Sequence, residues 1–261
     1  MKKIFIGIIT FEGKNYIFDR WKENLDNILT YTHEKLREDV VTKVVMVDNS
    51  PTEDYYNYLK DNFDGEVIHE KYIEETNANI ANSRNRLRKE FLKTDYDYFF
   101  MLESDVLPQD KILVELLNHN VPVVSGYYLV GQGLRWKRPC VVMPFIPIEE
   151  ARKLPENHVE ISLSKERLVK VLQGSMGCCL IKREVLEKLN FFFLRAKNNY
   201  IVHDDTFFFN ECEINGIPVY VDSLQICNHF QSNWWKEFVL KREAERLGDS
   251  ENQNIISKEV R

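Results

Sequence analysis

The sequence predicts an α/β chain built on a mostly parallel central sheet with helices on both faces. Two observations lead there. From residue 1 to about residue 130, short apolar runs alternate with longer stretches whose apolar residues recur at helical spacing. The short runs are continuously apolar rather than alternating, as in parallel strands covered on both sides. A third observation sets the scale: 261 residues, 44% of them apolar, can build a sizeable core for one large domain.

The elements follow in order. "KIFIGIIT" is an isoleucine-rich first strand, and residues 17–38 place Trp21, Leu25, Ile28, Leu29 and Leu36 on one helical face. "TKVVMVDNS" is a second buried strand, closed by the turn residues Asn49, Ser50 and Pro51. "EDYYNYLKDNF" is a short helix and "EVIHEKY" a shorter strand. "NANIANSRNRLRKEFLK" is a helix with Asn82 or Ser83 as its expected N-cap. "YDYFFMLES" is a strand, "DKILVELLNH" a helix and "VPVVSGYYLV" another strand. The rhythm then breaks. Residues 131–173 hold four prolines and short strand-like pieces, an irregular excursion. "GCCLIKREVLEKL" returns to strand and helix. "DDTFFFNECEINGIPVYVD" reads as a helix stopped at Gly216 and then a strand, and "QICNHF" ends the globular part. A charged helix and a polar tail occupy 234–261.

Composition narrows the function. A net charge of −6 argues against nonspecific nucleic-acid binding, which needs a basic surface. No apolar run reaches the roughly 20 residues that span a bilayer. The tail helix mixes Lys, Arg and Glu and gives only weak support for peripheral membrane contact. The start lacks a signal-peptide cleavage pattern. The five cysteines (140, 178, 179, 212 and 227) are odd in number and sit in apolar surroundings, as free thiols of a cytoplasmic protein would.

The chemistry-bearing residues cluster where strands should end. "YFFMLESDVLP" runs from apolar residues into Glu103, Ser104 and Asp105. Side chains at i and i+2 of an extended chain point the same way, so the two carboxylates repel, and burial raises the cost. Either the strand end is solvated, or a divalent cation neutralises the pair. Hard oxygen ligands suit Mg²⁺ or Mn²⁺. Ligands of open parallel sheets bind at such carboxyl ends, which puts Thr10 and Phe11, at the end of the first strand, beside the same pocket.

Five segments, in order, resemble the GT-A glycosyltransferases, and within them the large inverting family 2. "VVMVDNSPTEDY" is similar to the family's nucleoside-contacting second strand, and "ANSRNRLRKEF" to its Arg-Asn helix. "FMLESDVLP" sits at the family's D-x-D signature. "GSMGCCLIKREVLEKLNFF" and "HDDTFFFNECEINGIPVYVDSLQICNHF" are similar to its later segments, and the resemblance covers roughly residues 1–230. Here Glu103 replaces the first acid of the D-x-D, and the family's Glu-Asp pair is Asp204-Asp205.

The resemblance implies the nucleotide-diphospho-sugar transferase fold, a Rossmann-like architecture, in one catalytic domain over 1–233. Residues 1–130 would be its nucleotide-binding half and 131–233 its acceptor half. It implies a nucleotide-sugar donor, a UDP-sugar, and a carbohydrate or other hydroxyl-bearing acceptor, with Mn²⁺ or Mg²⁺ as cofactor. Asp105 and His229 are then metal ligands, with Glu103 beside them, and Ser104 joins the donor site. Asp48 would face the base or ribose, unless it only starts its turn. Arg84 would reach the diphosphate or the base, while Arg86 and Arg88 are solvated. Asp205 is the expected general base with Asp204 close behind; in the alternative reading Asp204 is simply the helix N-cap. Gly174 and Gly177 allow close backbone approach or mark simple turns. Trp234 and Trp235 would form an acceptor platform or anchor the tail. Two other readings compete: a noncatalytic nucleotide- or sugar-binding relative, and a nucleotidyltransferase, which lacks its usual Gly-rich basic loop in "ITFEGKNY".

Overall fold

A computed structural model describes residues 1–128, 143–144, 167–195 and 201–230. The chain opens with β1 (Lys2–Thr10), α1 (Phe18–Leu36), β2 (Val40–Asp48), α2 (Asp54–Asn62) and β3 (Glu66–His69). Next come α3 (Thr76–Leu92), β4 (Tyr98–Glu103), β5 (Val106–Leu107), α4 (Ile112–His119) and β6 (Val123–Tyr128). The second half has β7 (Met143–Pro144), β8 (Leu168–Gln173), β9 (Cys178–Lys182) and α5 (Arg183–Lys188). It ends with β10 (Leu194–Arg195), β11 (Ile201–Val202), α6 (Asp204–Ile214) and β12 (Val219–His229).

One sheet of ten strands carries the fold, in the order β3-β2-β1-β4-β9-β6-β12-β8-β7, with β5 added on β12. β3, β2, β1 and β4 are parallel neighbours, and β6 and β12 form a second parallel pair. Between these blocks β9 runs antiparallel to both β4 and β6. The expected α/β architecture is therefore present, with an antiparallel strand at its centre.

Both faces are covered, and β1 shows why. Ile4, Ile6 and Ile8 point into a core made with α1, α2 and α4, through Trp21, Leu25, Ile28, Leu59, Leu113 and Leu116. Phe5 and Ile9 point into the other core, shared with α3, α5 and α6 through Leu87, Phe91, Leu186, Phe208 and Phe209. Burying each such side chain stabilises the fold by roughly 1.5–3 kcal/mol. Gly7 leaves room for Phe99, whose ring lies 2.6 Å from where a Cβ would stand, and Phe99 stacks on Phe5 at 5.6 Å.

Three local expectations change. α3 begins at Thr76, with the Glu75 side chain accepting from Asn77 N. Asn82 and Ser83 therefore lie inside the helix; Ser83 Oγ donates to Asn79 O and accepts from Asn49 Nδ2, so its polarity serves a buried contact and not a cap. The expected excursion ends early, because residues 168–173 form β8 against β12. Arg88 is only partly solvated: it is half-buried, and its Nε donates to Leu186 O at 2.7 Å. Gly216 does stop α6, at φ +66°. Cys178, Cys179, Cys212 and Cys227 are buried free thiols. Among the described residues no helix is long and apolar enough to cross a membrane. Cys140, Trp234, Trp235 and the tail lie outside the described residues.

Candidate active site

The sheet brings the acids together by register. β1 and β4 are parallel neighbours, with Ile9 opposite Glu103, so both strands end at the same edge. The chain leaves β1 toward β2 on one side and returns to β4 on the other, which makes this a switch point, where α/β sheets open a crevice. A cleft of about 300 Å³ lies there, lined by Thr10, Phe11, Lys14, Tyr72, Asn79 and the Glu103–Asp105 turn, among others. Trp21 Nε1 fixes the turn by donating to Glu103 O at 3.0 Å.

His229 reaches this edge from the far end of the sequence. β5, just after Asp105, pairs antiparallel with the end of β12, Val106 opposite His229. Phe230 N donates to Asp105 O at 2.8 Å and closes the clamp. As a result His229 Nε2 stands 3.3 Å from Asp105 Oδ2, and its ring packs against Tyr128 with centroids 4.8 Å apart. His229 Nδ1 is buried and has no hydrogen-bond partner among the described residues.

Glu103, Asp105 and His229 each bring one ligand atom within 4.8 Å of the others. Two hard carboxylate oxygens and an imidazole nitrogen fit Mn²⁺ or Mg²⁺. The same carboxylates already have cationic partners. Lys14 Nζ is bonded to Asp105 Oδ2. Arg84, buried on α3, donates through one terminal nitrogen to Glu103 and through the other to Asp204 Oδ2 at 2.6 Å.

These contacts drive the two carboxyls in opposite directions. Burial and the repulsion of Asp105 outweigh Arg84 and push the Glu103 pKa up. Burial also opposes the Asp105 charge, but the hydrogen bonds and charges of His229 and Lys14 prevail and hold its pKa below the usual range. Burial, with the Glu103 charge, lifts the Tyr128 phenol well above its ordinary value. Tyr128 hydroxyl accepts from Gly177 N at 2.9 Å. A Cβ on Gly177 would stand 2.6 Å from that oxygen and 2.8 Å from Glu103 Oε2. The space at Gly177 thus serves the protein's own side chains, as that at Gly174 serves Ser125 Oγ, 2.9 Å from a Cβ there.

The acid pair of α6 divides. His203, not Asp204, is the N-cap residue, and Asp204 is the first helical residue. Asp204 is buried on Arg84, whereas Asp205 is half-buried and its Oδ1 accepts from Thr206 N at 2.6 Å. Contact between α3 and the segment before α6 includes His203 Nδ1 with Asn77 Oδ1 at 2.9 Å.

Of the expected donor residues, Thr10, Phe11, Glu103, Ser104 and Asp105 line the cleft. Asp48 is fully buried; its carboxylate takes Ser50 Oγ at 2.6 Å and His69 Nδ1 at 2.9 Å, and its neighbours Asn49 and Pro51 form the wall. Arg84 does not line the cleft; it spans the two acid pairs. Sequence reasoning missed Lys14 and Tyr128. A lysine in the loop after the first strand, beside an acidic turn at the next strand end, was the signal for Lys14. For Tyr128 no local signal exists.

The fold is GT-A-like: a mixed α/β sheet covered by helices on both faces, as in the solved structures it resembles. No family model matches the sequence, and no curated protein matches it. Among solved structures, TarS 1–349 of S. aureus in complex with UDP-GlcNAc superposes with a TM-score of 0.51 at 15% identity, over 90% of this chain and 61% of that one. Longer TarS gives 0.52 at 15% identity, over 95% and 40%. GalNAc-T7 with UDP, GalNAc and Mn²⁺ gives 0.50 at 10% identity, over 88% and 44%. The chain thus spans less than two thirds of each of these relatives.

Proposed function

We propose that this chain transfers a sugar from a nucleotide-diphosphate sugar, a UDP-sugar, to an acceptor hydroxyl, with inversion at the anomeric carbon. The observation that carries this reading is the convergence of Glu103, Asp105 and His229 at the mouth of a cleft between β1 and β4. The structural relatives solved with UDP, UDP-GlcNAc or Mn²⁺ are consistent with it.

Asp105 and His229, with Glu103, would hold Mn²⁺ or Mg²⁺, and the cation would neutralise charge on the departing diphosphate. Thr10, Phe11 and Ser104 line the donor's side of the cleft. Asp48 acts by fixing the turn at Asn49–Pro51, not by direct contact. Asp205 is the general base. Its carboxylate takes the acceptor proton as the acceptor oxygen bonds to the anomeric carbon, and the electron pair of the breaking bond leaves with the nucleoside diphosphate. Asp204 is a poorer base because Arg84 engages it in a buried ion pair.

A thermal-shift screen of nucleoside diphosphates with and without Mn²⁺, followed by hydrolysis assays over a panel of nucleotide sugars, tests the reading. Metal-dependent stabilisation by a uridine nucleotide and slow hydrolysis of one UDP-sugar are expected. Indifference to every nucleotide with and without metal sinks it.

A further inference from the structure

We propose that Lys14 is both the internal counter-ion of Asp105 and a ligand for the diphosphate, so that cation and diphosphate enter the site together. The inference rests on the metal-site reading above and deepens it. Lys14 lies in the 3-10 turn Glu12–Ile17 that follows β1, and it lines the cleft. Its ammonium sits on Asp105 Oδ2, the same oxygen that His229 Nε2 faces at 3.3 Å. A metal held by Asp105 and His229 would therefore compete with Lys14 for one carboxylate oxygen.

Charge explains why this matters. Arg84 is shared by Glu103 and Asp204, and Lys14 sits on Asp105, so three carboxylates already have two cations. Adding a dication to this set turns one net negative charge into one net positive charge, which low dielectric makes costly. A diphosphate brings at least two negative charges and removes the excess. One of the two protein cations must then turn from carboxylate to phosphate. Arg84 cannot, because its side chain is only 5% exposed and its fork is bound to Glu103 and Asp204 at once. Lys14 can: its side chain is 26% exposed toward the cleft, and a flexible four-carbon stem carries a compact charge. The site then favours a metal-diphosphate complex over the free ion.

Calorimetric titration of the full chain with two probes tests this: Mn²⁺ alone, and preformed manganese pyrophosphate, which carries neither base nor sugar. In Lys14→Met, Mn²⁺ alone should bind about tenfold tighter than in the wild type, and manganese pyrophosphate about tenfold weaker, each the worth of one charge-assisted hydrogen bond. Opposite signs from one substitution are not what a general loss of packing produces. Lys14→Arg keeps the charge and should stay near wild type with both probes. Unchanged Mn²⁺ affinity in Lys14→Met, or a Lys14→Arg variant that behaves like Lys14→Met, overturns the proposal. Asp105→Asn separates the two levels. If it abolishes Mn²⁺ binding while Lys14→Met changes nothing, only the role of Lys14 fails; if it leaves Mn²⁺ binding intact, the metal reading itself fails.

Discussion

The molecule has two pairs of acids that look alike in the sequence and differ in space. Glu103 and Asp105 stand two residues apart at the end of β4; Asp204 and Asp205 are adjacent at the start of α6. An extended chain points i and i+2 the same way, so the first pair converges on one point with His229. One step along a helix turns the side chain by about 100°, so the second pair separates. Asp204 is buried on Arg84, and Asp205 is half-buried. On the proposed function, the first pair would act as a unit, and the second would divide its labour between structure and chemistry.

The strongest test of the converging pair is Asp105→Asn. It should abolish transfer and the Mn²⁺-dependent stabilisation by a nucleoside diphosphate, with an unchanged circular dichroism spectrum. Glu103→Gln should be milder, because Arg84 shares the Glu103 carboxylate. Equal severity in both variants would show that both acids ligate the metal directly. Normal turnover in Asp105→Asn would remove it from the site.

The divided pair predicts a split between chemistry and stability. Asp205→Asn should lower kcat by about 10²–10⁴-fold, the usual worth of a positioned base, while the Kd for a nucleoside diphosphate with Mn²⁺ stays within a few-fold. Asp204→Asn weakens a buried ion pair whose other member keeps one partner. Its stability in urea should fall by about 3 kcal/mol, the low end for removing one partner of a buried pair, with the smaller loss of kcat. A reversal of the two kinetic results would make Asp204 the base and Asp205 the structural acid.

Much of this was legible in the sequence, and the exceptions share a cause. Continuous apolar runs announced β1, β2 and β4, because a strand buried on both faces has no polar side to show. The acid turn was visible because a buried run ends there in two carboxylates, whereas His229 was singled out only by the family resemblance, and the start of α6 was read one residue late at its cap, which is His203. The direction of β9 was not visible, since a buried run such as "CCLIK" reads the same in either direction. The N-cap of α3 was misplaced because Asn82 and Ser83 resemble local caps, whereas Ser83 is polar for the sake of Asn49, 34 residues away. Lys14 and Arg84 took their partners across 91 and 120 residues. Spacing rules describe a residue's own element and carry no information about such partners.

The mildest perturbation moves Glu103 without touching any charge. Gly177→Ala puts a methyl group 2.6 Å from the Tyr128 hydroxyl and 2.8 Å from Glu103 Oε2. Both are closer than packed atoms sit, so one must give. The Tyr128 hydroxyl is fixed by the amide of residue 177 itself, and its ring packs on His229. The Glu103 carboxylate is the far end of a rotatable side chain, so it should yield by a few tenths of an ångström. The overpacking should cost about 1 kcal/mol of stability, the low end for one added methyl. If the strand-end pair acts as a unit, that shift should also weaken Mn²⁺ binding by a few-fold while leaving kcat at saturating metal nearly unchanged. If Mn²⁺ affinity in Gly177→Ala matches wild type although stability has fallen, Glu103 contributes nothing to the metal, and Asp105 and His229 hold it alone.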